Sequence, residues 1–292
     1  MLVLLVVLTK EIILGNSTFH LTKTETESIV VTKSVAVCVR GVNRNVDNAE
    51  SIMKTIVAPL DADVFGVIQT NDRTTSVDLS LALKAVSSDN TNFSYHDVLS
   101  ELKNDGFNES FWEMVAAKSQ NSLAPLLGQR GSALFQYKSF KRCFELIDDH
   151  EKKKRGGHQY SNIIVMRSDH FCLAQPFCPS QLLESIVVPS GDDWRGVNDR
   201  MMAMPRSAAK LILTGAWDKL TNMRSSEYFV RNTEVVLSFL IKESQKHLLR
   251  SDNTCYLKCN QQSQTSWGKC SPGGFKYEQE FRSAKSNMNL TC

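Results

Sequence analysis

The run Ile163-Ile164-Val165-Met166-Arg167-Ser168-Asp169-His170 is a β-branched apolar segment that ends in charge. It reads as a buried strand delivering polar groups at its C-terminal end, the edge where open α/β sheets place their ligands. Further along, Val187-Val188-Pro189 opens into Ser190-Gly191-Asp192-Asp193-Trp194-Arg195-Gly196-Val197-Asn198-Asp199-Arg200 and repeats the arrangement. This loop is too charged for a core and too aromatic for a plain linker.

Working outward, Val35-Ala36-Val37-Cys38-Val39 has the length and composition of a second buried strand, closed by Arg40-Gly41. Val46, Ala49, Ile52, Met53, Ile56 and Val57 follow at helical spacing, ending before Pro59. Asp63 to Thr70 is the next strand, with Asn71-Asp72 as its polar exit. Strand, helix, strand is a right-handed βαβ unit, with its ligand edge at Arg40 to Arg44 and Thr70 to Asp72. Residues 73–130 are less periodic and are expected as helices and loops over the sheet. Leu134, Tyr137, Phe140, Cys143, Phe144 and Ile147 mark a strongly amphipathic helix. A late helix carries Phe229, Thr233, Val236, Leu237, Leu240 and Ile241 on one face. Its expected N-cap is Ser225 or Ser226, with Glu227 in the first turn. The alternation predicts an α/β sandwich around a mostly parallel sheet.

A net charge of +3, set against 34 basic and 31 acidic residues, leaves no global field of the kind that marks a nucleic-acid binder. The one basic block, Lys152-Lys153-Lys154-Arg155, is a solvated loop or, less simply, a polyanion or localisation signal. Met1 to Leu8 is apolar but stops at Lys10-Glu11, short of the ~20 residues that span a bilayer. Residues 1–15 are therefore expected as a signal peptide or truncated signal anchor, and 16–33 as a stem. That places the chain in the secretory lumen, Golgi or ER, or outside the cell, with the membrane touched only through the N-terminus. If the N-terminus is not a signal, the chain is cytoplasmic. Asn-x-Ser/Thr acceptors at Asn16, Asn92, Asn108 and Asn289 are compatible with a lumenal site. Of the 8 Cys, Cys255, Cys259, Cys270 and Cys292 fall in a polar tail, residues 251–292, which is expected to need disulfides to stay ordered. A zinc site there is disfavoured, because no Cys-x-x-Cys pair exists.

The dinucleotide, P-loop, zincin and nucleophile-elbow signatures are all missing. Nucleotide phosphates would then need another counter-charge. A strand-end acid supplies one by holding a divalent metal, Mn²⁺ or Mg²⁺, and Asp169 with His170 beside it is the best placed. The plainer reading of Asp169 is a carboxylate capping the next turn or paired with Arg167.

The order of motifs resembles GT-A glycosyltransferases of a family found in algae, protists and large algal viruses. In that family a first strand ends in Gly-x-x-Arg, here Gly41-Val42-Asn43-Arg44, and a second follows Ala-Asp-Val/Ile-Phe, here Ala62-Asp63-Val64-Phe65. The central strand ends in Arg-x-Asp where many relatives carry Asp-x-Asp, here Arg167-Ser168-Asp169. A Gly-Gly-x-Asn-Asp-Arg loop is matched by Arg195 to Arg200, with Arg195 in place of the first Gly. A Ser/Pro-Glu pair opening a late helix is matched by Ser226-Glu227. The resemblance covers about residues 34–250.

It implies a GT-A-type sandwich that transfers a sugar from a nucleoside-diphosphate donor to a glycan or glycoprotein acceptor. The nucleotide would lie at Arg40, Gly41, Arg44, Asn71 and Asp72. Asp169 and His170 would bind metal, or Arg167 would meet the diphosphate with its fixed fork. Trp194 would stack on a sugar or anchor the loop, and Asn198 and Arg200 would contact substrate or simply order the loop. Asp199, with Asp193 as alternative, would be the general base. Glu227 would serve the site or only its helix dipole. The competing expectation is a relative that keeps this fold as a glycan-binding or interaction protein without transfer.

Overall fold

The computed structural model describes residues 6–14, 17–25, 33–42, 46–69, 83–89, 94–108, 110, 132–172, 177, 182, 184–190, 195–222, 233–251, 256–258, 264–265 and 268–269. The chain divides into two units, Met1–Lys33 and Ser34–Cys292. In the first, strands β1 (Val6–Leu14) and β2 (Ser17–Glu25) pair antiparallel from Val6 opposite Glu25 to Leu14 opposite Ser17. Residues 17–25, expected within a stem, thus form a strand, as their many Thr and the apolar Phe19 and Leu21 favour. Among the described residues no helix is long and apolar enough to cross a membrane.

The second unit is built on β3 (Val35–Val42), β4 (Asp63–Gln69), β5 (Ser87–Asp89), β6 (Asn162–Arg167), β8 (Ile186–Pro189), β9 (Met201–Pro205) and β10 (Leu248–Ser251). A short β7 (His170–Cys172) follows β6 and pairs antiparallel with β11 (Tyr256–Lys258). The main sheet has the order β10-β8-β9-β6-β3-β4-β5. Only β9 runs against the rest, antiparallel to both β6 and β8, while β3 is parallel to β4 and to β6. This is the mostly parallel α/β sheet expected from the alternation of elements.

Its central strands are largely apolar because both faces are covered, so neighbouring residues in a strand enter different cores. Ala36 and Cys38 of β3, Ile163 and Val165 of β6, and Met202 and Met204 of β9 share one core. Three helices pack there: α3 (Ser132–Lys154), through Phe140, Cys143 and Ile147, α4 (Arg206–Thr221), through Ile212 and Leu213, and α5 (Thr233–Glu243), through Leu237 and Ile241. Val35, Val37, Val39, Ile164 and Met166 enter the other core with Ile52 and Ile56. Those two belong to α1 (Val46–Ile52) and the π-helical turn Met53–Val57 that continues it. A third cluster joins α3 and α4 to α2 (Tyr95–Asn104) and α5 (Thr233–Glu243) through Leu102, Tyr137, Trp217 and Leu240. Helix α2 begins with a capping box between Ser94 and Asp97, which satisfies backbone donors at its N-terminus.

A disulfide joins Cys38 of β3 to Cys143 of α3, Cα to Cα 5.8 Å, with both residues fully buried. It clamps the central strand to the helix above it. The four tail cysteines lie outside the described residues. At the end of α3, Lys152 and Lys153 pair with Asp148 and Asp149 one turn back. The lysines are solvated as expected, but they form the last turn of the helix rather than a loop, with cations placed favourably at a helix C-terminus, and Arg155 instead lies over the Tyr160 ring.

Candidate functional site

From β3 the chain moves to β4 and β5 on one side of the sheet, then returns to β6 on the other side of β3. The strand order therefore reverses between β3 and β6, and the crevice outside their C-terminal ends is where such sheets take ligands. Arg40 and Arg167 are register partners there.

The two strand exits are locked together by backbone. The Ser168 N–H donates to the Arg40 carbonyl at 2.8 Å, and Asn48 Nδ2 of α1 donates to the Ser168 carbonyl at 3.0 Å. Gly41 has φ +127°, and a Cβ on it would lie 2.8 Å from Ser168 Oγ. Conformation and space both call for glycine at this exit.

Arg167 holds Asp169 in a fork, with Nε 2.9 Å from Oδ1 and Nη2 2.7 Å from Oδ2. Of the two readings of Asp169 left open by its spacing, the geometry is that of the pair with Arg167. His170 is completely buried, and its Nε2 lies 3.7 Å from Asp169 Oδ1. Both carboxylate oxygens accept from the Arg167 guanidinium, so a cation at Asp169 and His170 would have to compete with it. Among the described residues no three or more His, Cys, Asp or Glu side chains converge as a metal-holding group.

Arg40 is 3% exposed. Its Nη2 donates to the Asp199 carbonyl at 2.9 Å, its guanidinium carbon lies 3.9 Å from the centre of the Phe140 ring, and its Nε is buried without a hydrogen-bond partner. Burial pulls its pKa down to about 10, against the opposing pull of the Asp199 charge, and the Arg167 cation lowers it further.

The loop after β8 reaches the same place. The Arg167 N–H donates to the Arg200 carbonyl at 3.1 Å, and Asn198 Oδ1 accepts the Arg200 N–H at 2.9 Å. Asn198, Asp199 and Arg200 are all buried, so Asn198 and Arg200 order the loop whatever else they do. Arg195, where the resembling family has Gly, has φ +68°, a left-handed conformation that favours glycine. Gly196 lies against α5: a Cβ there would be 2.1 Å from the Glu234 carbonyl oxygen, and the Val197 N–H donates to that oxygen at 2.9 Å.

Arg40, Gly41, Arg167, Asp169, His170, Asn198, Asp199 and Arg200 are thus brought together around the two strand exits. Arg44, Asn71, Asp72, Asp193, Trp194 and Glu227 lie outside the described residues. A residue that sequence reasoning passed over is Glu234, in the first turn of α5. Burial first, and then the charge of Asp199, push its carboxyl up to about 7, against Arg167 and Arg200. Tyr137 of α3 borders the same carboxyls, and its phenol pKa is raised chiefly by burial, with Glu234 and Asp199 adding to the effect. The only local signal for Glu234 was an acid opening an apolar helix, which by itself indicates no more than a favourable dipole contact.

No family model matches the chain. No curated protein sequence matches it either. Among solved structures, it is similar to that of a "putative nucleotide-diphospho-sugar transferase" from Desulfovibrio desulfuricans G20, at 8% identity and a TM-score of 0.36. The similarity covers 75% of this chain and 80% of that one.

Proposed function

We propose that this chain is a glycosyltransferase that takes a sugar from a nucleoside-diphosphate donor and passes it to the hydroxyl of a glycan or glycoprotein. The observation that carries this reading is the meeting of Arg40, Arg167, Asp169 and Asp199 at the reversal of strand order. Two guanidinium groups, those of Arg40 and Arg167, gather there with Asp169 and Asp199, while the charge of Arg200 acts on Glu234, which adds a third negative charge only when ionised. A diphosphate is the anion whose paired oxygens suit an Arg fork. The order of sequence motifs that resembles GT-A glycosyltransferases points the same way.

In this reading Arg167 meets the diphosphate, and a divalent cation would have to displace it from Asp169 before binding there. The loop from Gly196 to Arg200 borders the acceptor side. A lumenal or extracellular setting is part of the proposal, supported by the buried Cys38–Cys143 disulfide, since such crosslinks persist in oxidising compartments.

The test is thermal unfolding of the purified chain with UDP, GDP and their common sugars, each with and without manganese, paired with an assay of nucleoside-diphosphate release. A ligand at a hundredfold excess over its Kd stabilises the native state by about 2.7 kcal/mol, a readily measured shift. The expected result is a shift with one nucleotide that survives chelation of metal, accompanied by release of that nucleotide from its sugar. A shift without release would favour the non-catalytic binding protein, and no shift with any nucleotide would sink both.

A further inference from the structure

Glu234 is fixed against the loop that carries Asp199 by two backbone contacts. The Val197 N–H donates to its carbonyl at 2.9 Å, and Gly196 packs on that carbonyl too closely for any side chain. Arg250 Nη2 reaches the Gly196 carbonyl from β10 at 3.3 Å. The charged and titratable groups around the Glu234 carboxyl come from separate elements: Asp199 and Arg200 from the loop, Arg167 from β6, and the Tyr137 phenol from α3. Glu234 is half-buried, whereas Asp199 is 8% exposed, so Glu234 is the more accessible of the two acids. Arg40 adds an independent sign that something polar belongs here. It is bonded to the Asp199 carbonyl and has a buried Nε donor with no hydrogen-bond partner. A buried guanidinium donor without a protein partner takes its acceptor from water or from a ligand.

Resting on the transfer reading above, we propose that Glu234 is the general base of the reaction and Asp199 a positioning residue that acts on it through charge. As the acceptor oxygen bonds to the anomeric carbon, its proton passes to the Glu234 carboxylate. The bond from that carbon to the diphosphate oxygen breaks, and its electron pair leaves with the nucleoside diphosphate beside Arg167. A base works best with a pKa near the working pH, where it is both ionised often enough and basic enough. The low-dielectric floor and the neighbouring aspartate move Glu234 towards that range.

The experiment is the pH dependence of nucleoside-diphosphate release by the full chain, comparing wild type with Glu234→Gln, Glu234→Asp and Asp199→Asn. The wild-type rate is expected to rise with pH and level off above about 7. Glu234→Gln should lose 10²–10⁴-fold in kcat, about the contribution of a general base, and keep the nucleotide-induced thermal shift. Glu234→Asp should retain part of the rate. Asp199→Asn should move the acid limb to lower pH, because the like charge that holds the Glu234 proton is gone.

A second reading is independent of turnover. The native carboxyl sits above its ordinary pKa, so its favourable contribution to stability is full below the unfolded value and is lost as pH rises through about 7. The melting temperature of Glu234→Gln relative to wild type should therefore increase from pH 5 to pH 8. Wild-type release with an unaffected Glu234→Gln variant, or a constant difference in melting temperature, overturns the assignment of Glu234 and leaves the transfer reading standing. Absence of both release and nucleotide binding in wild type overturns the transfer reading and this one with it.

Discussion

Gly196→Ala should be among the most damaging single-methyl changes in this protein. The added Cβ would lie 2.1 Å from the Glu234 carbonyl oxygen, 2.2 Å from its carbon and 2.4 Å from the Val235 nitrogen, all of them backbone atoms that no rotamer change can move. The loop must lift from α5. In doing so it breaks the 2.9 Å bond from the Val197 N–H, a donor on a residue only 1% exposed. A buried donor left unmet costs about 1–3 kcal/mol. The overpacking itself costs about 1–3 kcal/mol more. A mid-range total of about 4 kcal/mol corresponds to a fall in melting temperature of roughly 8–16 °C for a domain of this size.

The control is Gly157→Ala. Gly157 has φ +89° with nothing within 4 Å of a built Cβ, so only backbone strain of about 1–2 kcal/mol applies there. Differential scanning calorimetry of the two variants separates a steric glycine from a conformational one. A Gly196→Ala protein that melts within about 2 °C of wild type would show that loop and helix do not approach this closely, and the placement of Asp199 beside Glu234 would fall with it.

Two further predictions concern the scaffold of the same crevice. The Cys38–Cys143 disulfide closes a sequence separation of 105, so a Cys38→Ala/Cys143→Ala variant should lose about 4–5 kcal/mol on the chain-entropy account, read as a lower urea midpoint under non-reducing conditions. An unchanged midpoint would mean that the two cysteines are not bonded. Arg167→Ala should strand the buried Asp169 carboxylate at a cost of about 3–5 kcal/mol, and adding Asp169→Asn should restore part of it; additive losses in urea unfolding would refute the forked pair.

Most of the strands that frame the crevice were legible locally. In Val35 to Val39 and Ile163 to Met166, β-branched and other apolar residues follow one another without a polar break, which is what burial on two faces requires. The amphipathic positions of α3, from Leu134 to Ile147, are all buried. Strand β9 is a different case. Met-Met-Ala-Met-Pro carries no β-branched residue, and its reversed direction is settled only by the neighbours β6 and β8 on either side. Helix α4 follows it directly, with Pro205 as N-cap and no side-chain capping bond, so the usual start signal is missing.

What the sequence by itself determined was the apolar pattern of the central strands and of the main helices, and the polar character of the strand exits. An unbroken apolar run and a period of 3.6 are properties of consecutive residues and need no partner to be read. What only the tertiary structure decided was which exits meet and in what electrostatic state. Arg40 and Arg167 lie far apart in the chain yet become register partners, Cys38 finds Cys143, and Glu234 acquires its environment from Asp199, Arg167 and Arg200. Burial and charge proximity arise from packing between distant segments, and a carboxyl at a helix start cannot be told from a proton acceptor until those segments surround it.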